Sequence, residues 1–162
     1  MNVKNLACLF LFLPIVLTAQ YRFDFESGEL TPWHQPVPGI WEVTELEPLN
    51  GQSSLHHAYD NPSSGVDYIS IETGYTDPGD SIMACFTLRH GYPPSSSNNW
   101  QFFIQASQSD FSNSELAGSA IIFGVNYNCS DDLLKLWKVK QGKAQEMLVT
   151  SLNIENDISS AM

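Results

Sequence analysis

The chain has 162 residues, which is enough for one domain with a hydrophobic core and not comfortably for two. Its 18 acidic and 7 basic residues give a formal net charge of −11, and this excess of negative charge argues against nucleic acid and anionic membranes as partners. Its 3 cysteines form no C-x-x-C motif and no Cys/His cluster, which argues against a structural zinc site.

The first twenty residues have the pattern of a secretory signal peptide. Lys4 supplies the positive charge, residues 6–17 form the apolar region, and residues 18–20 (Thr-Ala-Gln) supply the small residues expected at a cleavage site. The apolar run is too short for a membrane span, and no second run follows it. We therefore expect a mature domain of residues 21–162 that is secreted or displayed at the cell surface and has no transmembrane segment.

Alternating apolar and polar residues, interrupted by clusters of Gly, Pro, Asn, Asp and Ser, predict about nine short strands. In chain order they are residues 21–26, 40–46, 53–59, 66–72, 82–89, 100–107, 119–127, 133–139 and 144–150. Residues 110–117 are polar and indicate a loop or one short helical turn. With strands spaced near ten residues apart and no clear amphipathic helix, the prediction is an all-β fold, an antiparallel β-sandwich of the jelly-roll type.

The longest strand–loop–strand pattern runs from Ser81 to Ser107 and predicts the middle of a sheet. Residues 82–89 and 100–107 each alternate with a period of two, as half-buried strands do. The intervening residues 91–99 (Gly-Tyr-Pro-Pro-Ser-Ser-Ser-Asn-Asn) continue neither strand, because proline lacks an N–H and Ser and Asn favour turns. Residues 119–127 are apolar on both faces, as expected of a central strand.

Charge and cysteines are unevenly placed along the mature chain. Arg22 and Arg89 are the only basic residues between residues 21 and 134, whereas the last four lysines all fall within residues 135–143.

Cys85 and Cys129 remain once the signal peptide is removed. An oxidising compartment permits a disulfide between them, but strand alternation does not show that they approach, so the paired and the free state both stay open.

The end of the chain differs from a complete jelly roll. Residues 151–162 are polar and trail away from the last predicted hairpin. Since the terminal strands of jelly rolls commonly lie together in one sheet, we expect the closing strands to be missing and the domain to be truncated at its C-terminus.

Several segments carry a family resemblance. Residues 23–28 (Phe-Asp-Phe-Glu-Ser-Gly), followed by Leu30, Trp33 and Trp41, resemble the opening of MAM and laminin-G-like (concanavalin-type) jelly-roll domains. Further similar segments are residues 53–61, 67–70, 89–92, 97–100 and 133–139. Together they resemble the N-terminal domain of large bacterial secreted surface proteins that carry lamin-tail-type domains downstream. The resemblance implies a lectin-like sandwich and a surface location, but no defined activity, and the chain lacks the sorting signal of those proteins.

The resemblance also implies a structural calcium site at the edge of the sandwich. In those domains an acidic residue of the opening strand contributes to the calcium site. The residue of this chain at that position is Glu26, and Asp24 is a second candidate. Asp60, Asn61 and Asp67 lie in or beside one loop and are further oxygen donors for an ion that takes six to eight of them. The alternative interpretation is an acidic strand end followed by an Asx turn.

A glycan site needs exposed aromatic rings that stack on sugars and nearby amides or carboxylates that bond their hydroxyls. The candidates are Trp33, His34, Tyr92, Asn98, Asn99 and Trp100. Tyr92 is expected to be the most exposed, because it lies between Gly91 and two prolines. A position in the core is the favoured interpretation for Trp41 and Trp137, which alternate with apolar neighbours. It is also the favoured interpretation for Trp100, which begins an apolar strand face.

The sequence does not predict an enzyme. It contains no nucleophile elbow, no H-E-x-x-H motif and no Gly-rich phosphate loop. Glu45 and Glu47 have the spacing of two carboxylates on one strand face, but Pro48 marks a strand end there. His56 and His57 point to opposite faces of a strand and so cannot bind one ion together.

The function expected from the sequence is a non-catalytic extracellular binding or adhesion module. Its expected partner is an extracellular polysaccharide or a surface glycoprotein. The first alternative is a calcium-stabilised spacer domain with no ligand of its own. The second is a degenerate glycosidase-like domain.

Overall fold

The computed structural model of the protein describes residues 22–63, 65–74, 83–108, 110–111 and 118–157. The predicted signal peptide, the predicted turn at residues 76–80, Ser81, Ile82 and most of the polar segment 110–117 lie outside these ranges. The end of the chain after residue 157 also lies outside them.

Within these ranges the fold is all-β, with two antiparallel sheets and almost no helix. The strands are β1 (Trp41–Thr44), β2 (Ser54–His57), β3 (Gln101–Ala106), β4 (Ser119–Val125), β5 (Leu133–Lys140) and β6 (Lys143–Asn153). β1 pairs with β2, and the second sheet has the order β3-β4-β5-β6. One helical turn, α1 (Ile154–Asp157), follows β6. No helix among these residues is long and apolar enough to span a membrane.

The β5–β6 hairpin forms where the sequence predicts it. The turn residues Gln141 and Gly142 have φ angles of 51° and 73°, and two positive φ angles are what a type I′ hairpin turn requires. Glycine at the second position adopts this conformation without steric cost. The strands on either side pair from Lys140↔Lys143 to Leu133↔Asn153, with two register shifts along the way.

One face of the four-stranded sheet carries the hydrophobic core. Ala120, Ile122, Trp137 and Val139 are buried there, because alternate residues of β4 and β5 point to the same side. The central position predicted for residues 119–127 is confirmed, since β4 lies between β3 and β5. The core prediction for Trp137 is also confirmed, because its side chain is fully buried.

The prediction of a strand at residues 82–89 is wrong for the part that the structure describes. Residues 83–90 form no regular strand, although their alternation is real. Phe86 packs on the sheet through its ring, stacked on Phe102 at 4.3 Å between centroids, while Arg89 pairs with Glu47 at 3.0 Å. The alternation of residue types here is accompanied neither by backbone pairing to a neighbouring strand nor by alternating burial, since residues 83–89 are all exposed.

Two further predicted strands are also wrong. Residues 22–26 are irregular, and Phe25 has a φ of 60°, which a β-strand cannot contain. Residues 66–72 contribute only an isolated bridge between Ser70 and His34. The aromatic residues of the first segment instead pack on each other, with Phe23 4.9 Å from Trp33 between ring centroids.

Candidate functional site

The second face of the four-stranded sheet carries a row of apolar side chains that crosses all four strands. Phe102 on β3 is opposite Phe123 on β4, which is opposite Leu136 on β5, which in turn is opposite Leu148 on β6. Phe123 and Leu136 alternate with the buried core residues and therefore point away from the core. We call these four residues the apolar row. Its last member, Leu148, is 56% exposed.

A pocket of about 150 Å³ opens beside the apolar row and is bounded by residues of the 83–90 segment. Its lining residues are Phe86, Leu88, His90, Trp100, Phe123, Leu134 and Ile154. Phe86 and Leu88 are 42% and 46% exposed, so the rim of the pocket is apolar and open to solvent. Phe86 also meets Phe123 edge to face at 5.7 Å, which fixes the position of this rim. The result is a half-open, aromatic-lined concavity.

Loop 91–99 connects two residues of this pocket, His90 and Trp100, and is internally braced. Ser95 and Asn98 exchange backbone hydrogen bonds of 2.8 and 3.3 Å, and the Ser95 hydroxyl also accepts from the Asn98 N–H at 3.0 Å. Pro94 in the same loop is buried. Such bracing lowers the ordering cost of any binding to the loop.

The predicted glycan-binding residues fall into two groups. Tyr92, Asn98 and Asn99 belong to the braced loop, and Trp100 lines the pocket. Tyr92 is 63% exposed, as its neighbours predict. The Asn99 side chain is already hydrogen-bonded to Ser96 and Gln101. The side-chain amide of Asn98 has no hydrogen-bond partner among the described residues.

Trp33 and His34 form the second group, in the N-terminal part of the chain. The Trp33 ring is half-buried against Phe23 and Phe25, and His34 pairs its backbone with Ser70. No contact among the described residues joins either of them to loop 91–99. Of the six predicted residues, only Trp100 lines the pocket, and Tyr92, Asn98 and Asn99 lie in the loop that joins His90 to Trp100.

The predicted calcium ligands also separate. Glu26 reaches across to the turn before β2, where its Oε1 accepts from the backbone N–H groups of Gln52 at 2.9 Å and Ser53 at 3.4 Å. A side chain at Gly51 would overlap this carboxylate, so glycine is needed for the approach. Asp24 accepts from the Glu26 N–H at 3.3 Å.

Asp67 lies in a different cluster. Its Oδ2 is 2.9 Å from the His57 Nε2 and also accepts from the Asn61 amide, while Asp60 is exposed nearby in sequence. In the described part of the chain, no three His, Cys, Asp or Glu side chains form a group that could hold a metal ion. Calcium also takes carbonyl, amide and water oxygens, so a calcium ion at either cluster stays a prediction.

A buried charged cluster lies on the core face of β5. The Lys135 side chain is 4% exposed, and its Nζ is 2.6 Å from Asp131 Oδ2 and 2.9 Å from Glu146 Oε1. Cys129 is a free thiol 3.5 Å from the same Nζ, and Cys85 is a free, exposed thiol. The buried ammonium of Lys135 therefore has two carboxylate partners, both of which remain partly exposed.

Sequence reasoning missed most of the pocket lining. Phe86, Leu88 and Leu134 are ordinary strand-pattern residues, and only the packing of residues 83–90 over the sheet brings them together. The proline-rich loop 91–99 was the sequence feature that indicated the position of the pocket, because it joins two of the lining residues, His90 and Trp100. No protein-family model, no curated protein and no solved structure matches the chain.

Proposed function

We propose that the protein is a non-catalytic extracellular binding or adhesion module of the jelly-roll sandwich type, and that its ligand is a glycan. The observation that carries the proposal is the half-open pocket with the exposed Phe86 ring at its rim and the exposed Tyr92 two residues beyond its lining. Aromatic faces of this kind stack on the apolar faces of sugar rings, and the braced loop supplies amide groups for hydroxyls.

His90 gives the pocket a polar group that is uncharged at neutral pH. Burial lowers the pKa of His90 below its usual range. A neutral imidazole has one donor and one acceptor nitrogen, which suits a sugar hydroxyl. The Asn98 amide on the adjacent loop adds a further donor and acceptor. The pocket therefore combines apolar stacking surface with a small number of neutral polar groups.

The proposal predicts that Phe86→Ala and Tyr92→Ala each weaken glycan binding by about tenfold, because each removes an exposed ring from the site. The measurement is retention of the purified protein on a panel of insoluble polysaccharides, followed by titration on the polymer that retains it. Tyr59→Ala is the matched control, since Tyr59 is 45% exposed and lies outside the pocket lining. Retention on no polymer by folded protein would refute the proposal, as would equal losses in all three variants.

The predicted calcium site is tested by thermal unfolding. If calcium stiffens the domain at the Glu26 or Asp67 cluster, added EDTA should lower the thermal midpoint and added calcium should restore it. Glu26→Gln or Asp67→Asn should abolish that difference for the cluster that holds the ion. An identical midpoint with calcium and with EDTA would exclude calcium from both clusters.

A further inference from the structure

Three lysines surround a shallow hollow of about 400 Å³ at the tip of the β5–β6 hairpin. The lining residues are Lys138, Lys140, Gln141, Lys143, Ala144 and Gln145. We call this feature the basic hollow. It contains no acidic residue, although acidic residues outnumber basic ones 18 to 7 in the chain. Positive charge is thus concentrated at one place on an acidic protein.

The lysines of the basic hollow have no acidic partners among the described residues, which sets them apart from the other cations there. Arg22 pairs with Asp24, Arg89 pairs with Glu47, and Lys135 is held between two carboxylates. Lys138, Lys140 and Lys143 are all exposed, and none of them makes an ion pair in the described ranges. Three unpaired lysines around one hollow make this part of the surface attractive to negatively charged groups.

The basic hollow adjoins the apolar row on the same face of the sheet. Lys138 follows Leu136 by two positions on β5, and Lys140 follows by two more, so all three side chains point to the same side. Two residues along a strand span about 7 Å. The apolar surface beside the pocket therefore continues directly into the positive surface.

We propose that the ligand of this face is an acidic polysaccharide, with sugar rings on the apolar row and pocket rim and carboxylate or sulfate groups on the lysines of the basic hollow. The proposal rests on the proposed glycan-binding function and adds the chemical class of the glycan. Lysine suits such a ligand, because its compact charge on a flexible stem adapts to groups spaced along a polymer.

Nucleic acid fits this face less well than an acidic glycan. A duplex carries a phosphate charge about every 1.7 Å of its axis, and a protein of net charge −11 repels so dense a polyanion outside the immediate hollow. A polyuronate such as polygalacturonate or alginate carries only one carboxylate per sugar, which is a lower charge density. The apolar faces of its sugar rings can also pack on the apolar row, whereas a phosphate backbone has no apolar face to pack there.

The test compares polymers that differ only in charge. Polygalacturonate, alginate and heparin are each measured against a neutral form at low and at high salt. The carboxylates are esterified in all three, and heparin is also desulfated and its freed amines are acetylated. We expect the protein to bind at least one charged polymer about tenfold more tightly than its neutral form. High salt should remove this preference, because it screens the lysines.

The matching variant is Lys138→Gln, Lys140→Gln and Lys143→Gln combined. It should lose the charge preference and keep its affinity for the neutral polymers, whereas Arg22→Gln, which removes an exposed charge elsewhere, should change neither. Equal affinity for the charged and neutral forms of every pair would overturn the acidic-glycan proposal and leave glycan binding intact. Binding to no polysaccharide would refute the proposed function itself. Tighter binding of DNA or of anionic vesicles through the same lysines would also overturn the proposal.

Discussion

Replacing Asp131 and Glu146 together by their amides is expected to lower the free energy of unfolding by about 3 kcal/mol. The double variant Asp131→Asn, Glu146→Gln leaves the Lys135 ammonium 4% exposed and without an opposite charge. Removing the charged partners of a buried ion is strongly destabilising, because the ion cannot regain its hydration in the folded state. Urea unfolding followed by tryptophan fluorescence, to which the buried Trp137 contributes, gives the free energy of unfolding.

Lys135→Met is the informative comparison for this cluster. It removes the buried charge and leaves two carboxylates that are 43% and 42% exposed, so water can solvate them. We expect this variant to lose less than about 1 kcal/mol. Adding Lys135→Met to the double variant should restore most of its stability, because no unpaired ion then remains. A double variant as stable as the wild type would show that Lys135 is not buried as a charge.

The pH dependence of the cluster follows from two opposite pKa shifts. Burial alone would lower the pKa of Lys135, but its hydrogen bonds with Asp131, Glu146 and Cys129 raise it above the usual range. Burial alone would raise the pKa of Asp131, but hydrogen bonds from Lys135, the Leu133 N–H and Cys129 lower it. The stability that the charged Lys135 contributes is lost as pH rises above about 10. The stability that the ionised Asp131 contributes is lost as pH falls below about 4.

The wild-type protein should therefore keep the full contribution of the cluster between these limits. In the double variant the lysine has no carboxylate partner, and burial lowers its pKa below the unfolded value. The folded state of that variant then binds fewer protons than the unfolded state, so its stability rises with pH toward about 10. Its deficit relative to wild type should be smaller at pH 9 than at pH 7. A deficit that does not change with pH would indicate a packing defect instead.

The sequence predicts well those strands that are specified by residues close to them in the chain. β5 and β6 follow from alternation on both sides of the Gln141-Gly142 turn, and β4 follows from a run that is apolar on both faces. Residues 83–90 alternate equally well but do not pair as a strand. Alternation of apolar and polar residues is a local property of the sequence, whereas strand pairing depends on a partner that is distant in sequence.

The candidate site shows the same division. The exposure of Tyr92 follows from its glycine and proline neighbours, but the apolar row depends on the register of three strand pairs, which no local pattern contains. Lys135 could have been distinguished from the other lysines, because it alternates with the buried Trp137 and Val139. Lys138 and Lys140 occupy the other phase of the same strand, and this difference separates a buried structural cation from surface cations.

Gly124→Ala is expected to destabilise the protein by about 2 to 3 kcal/mol. A Cβ at this position would overlap the carbonyl oxygen of Trp100 and come within 2.9 Å of the Gln101 Cα. Both are backbone atoms that no side-chain rotation can move away. β3 would have to shift from β4 at its first pair, Gln101↔Gly124, and would lose the 3.1 Å hydrogen bond from the Val125 N–H to Trp100.

The matched control is Gly91→Ala. Nothing lies within 4 Å of the position of its Cβ, and its φ lies outside the left-handed region, so the change in stability should stay within about 0.5 kcal/mol. Because Trp100 lines the pocket, Gly124→Ala should also weaken glycan binding, whereas Gly91→Ala should retain it. Equal stability of the two alanine variants in urea unfolding would contradict the close approach of β3 to β4. Loss of stability in Gly124→Ala with unchanged binding would instead place the glycan away from Trp100, toward Phe86 and the exposed end of the apolar row.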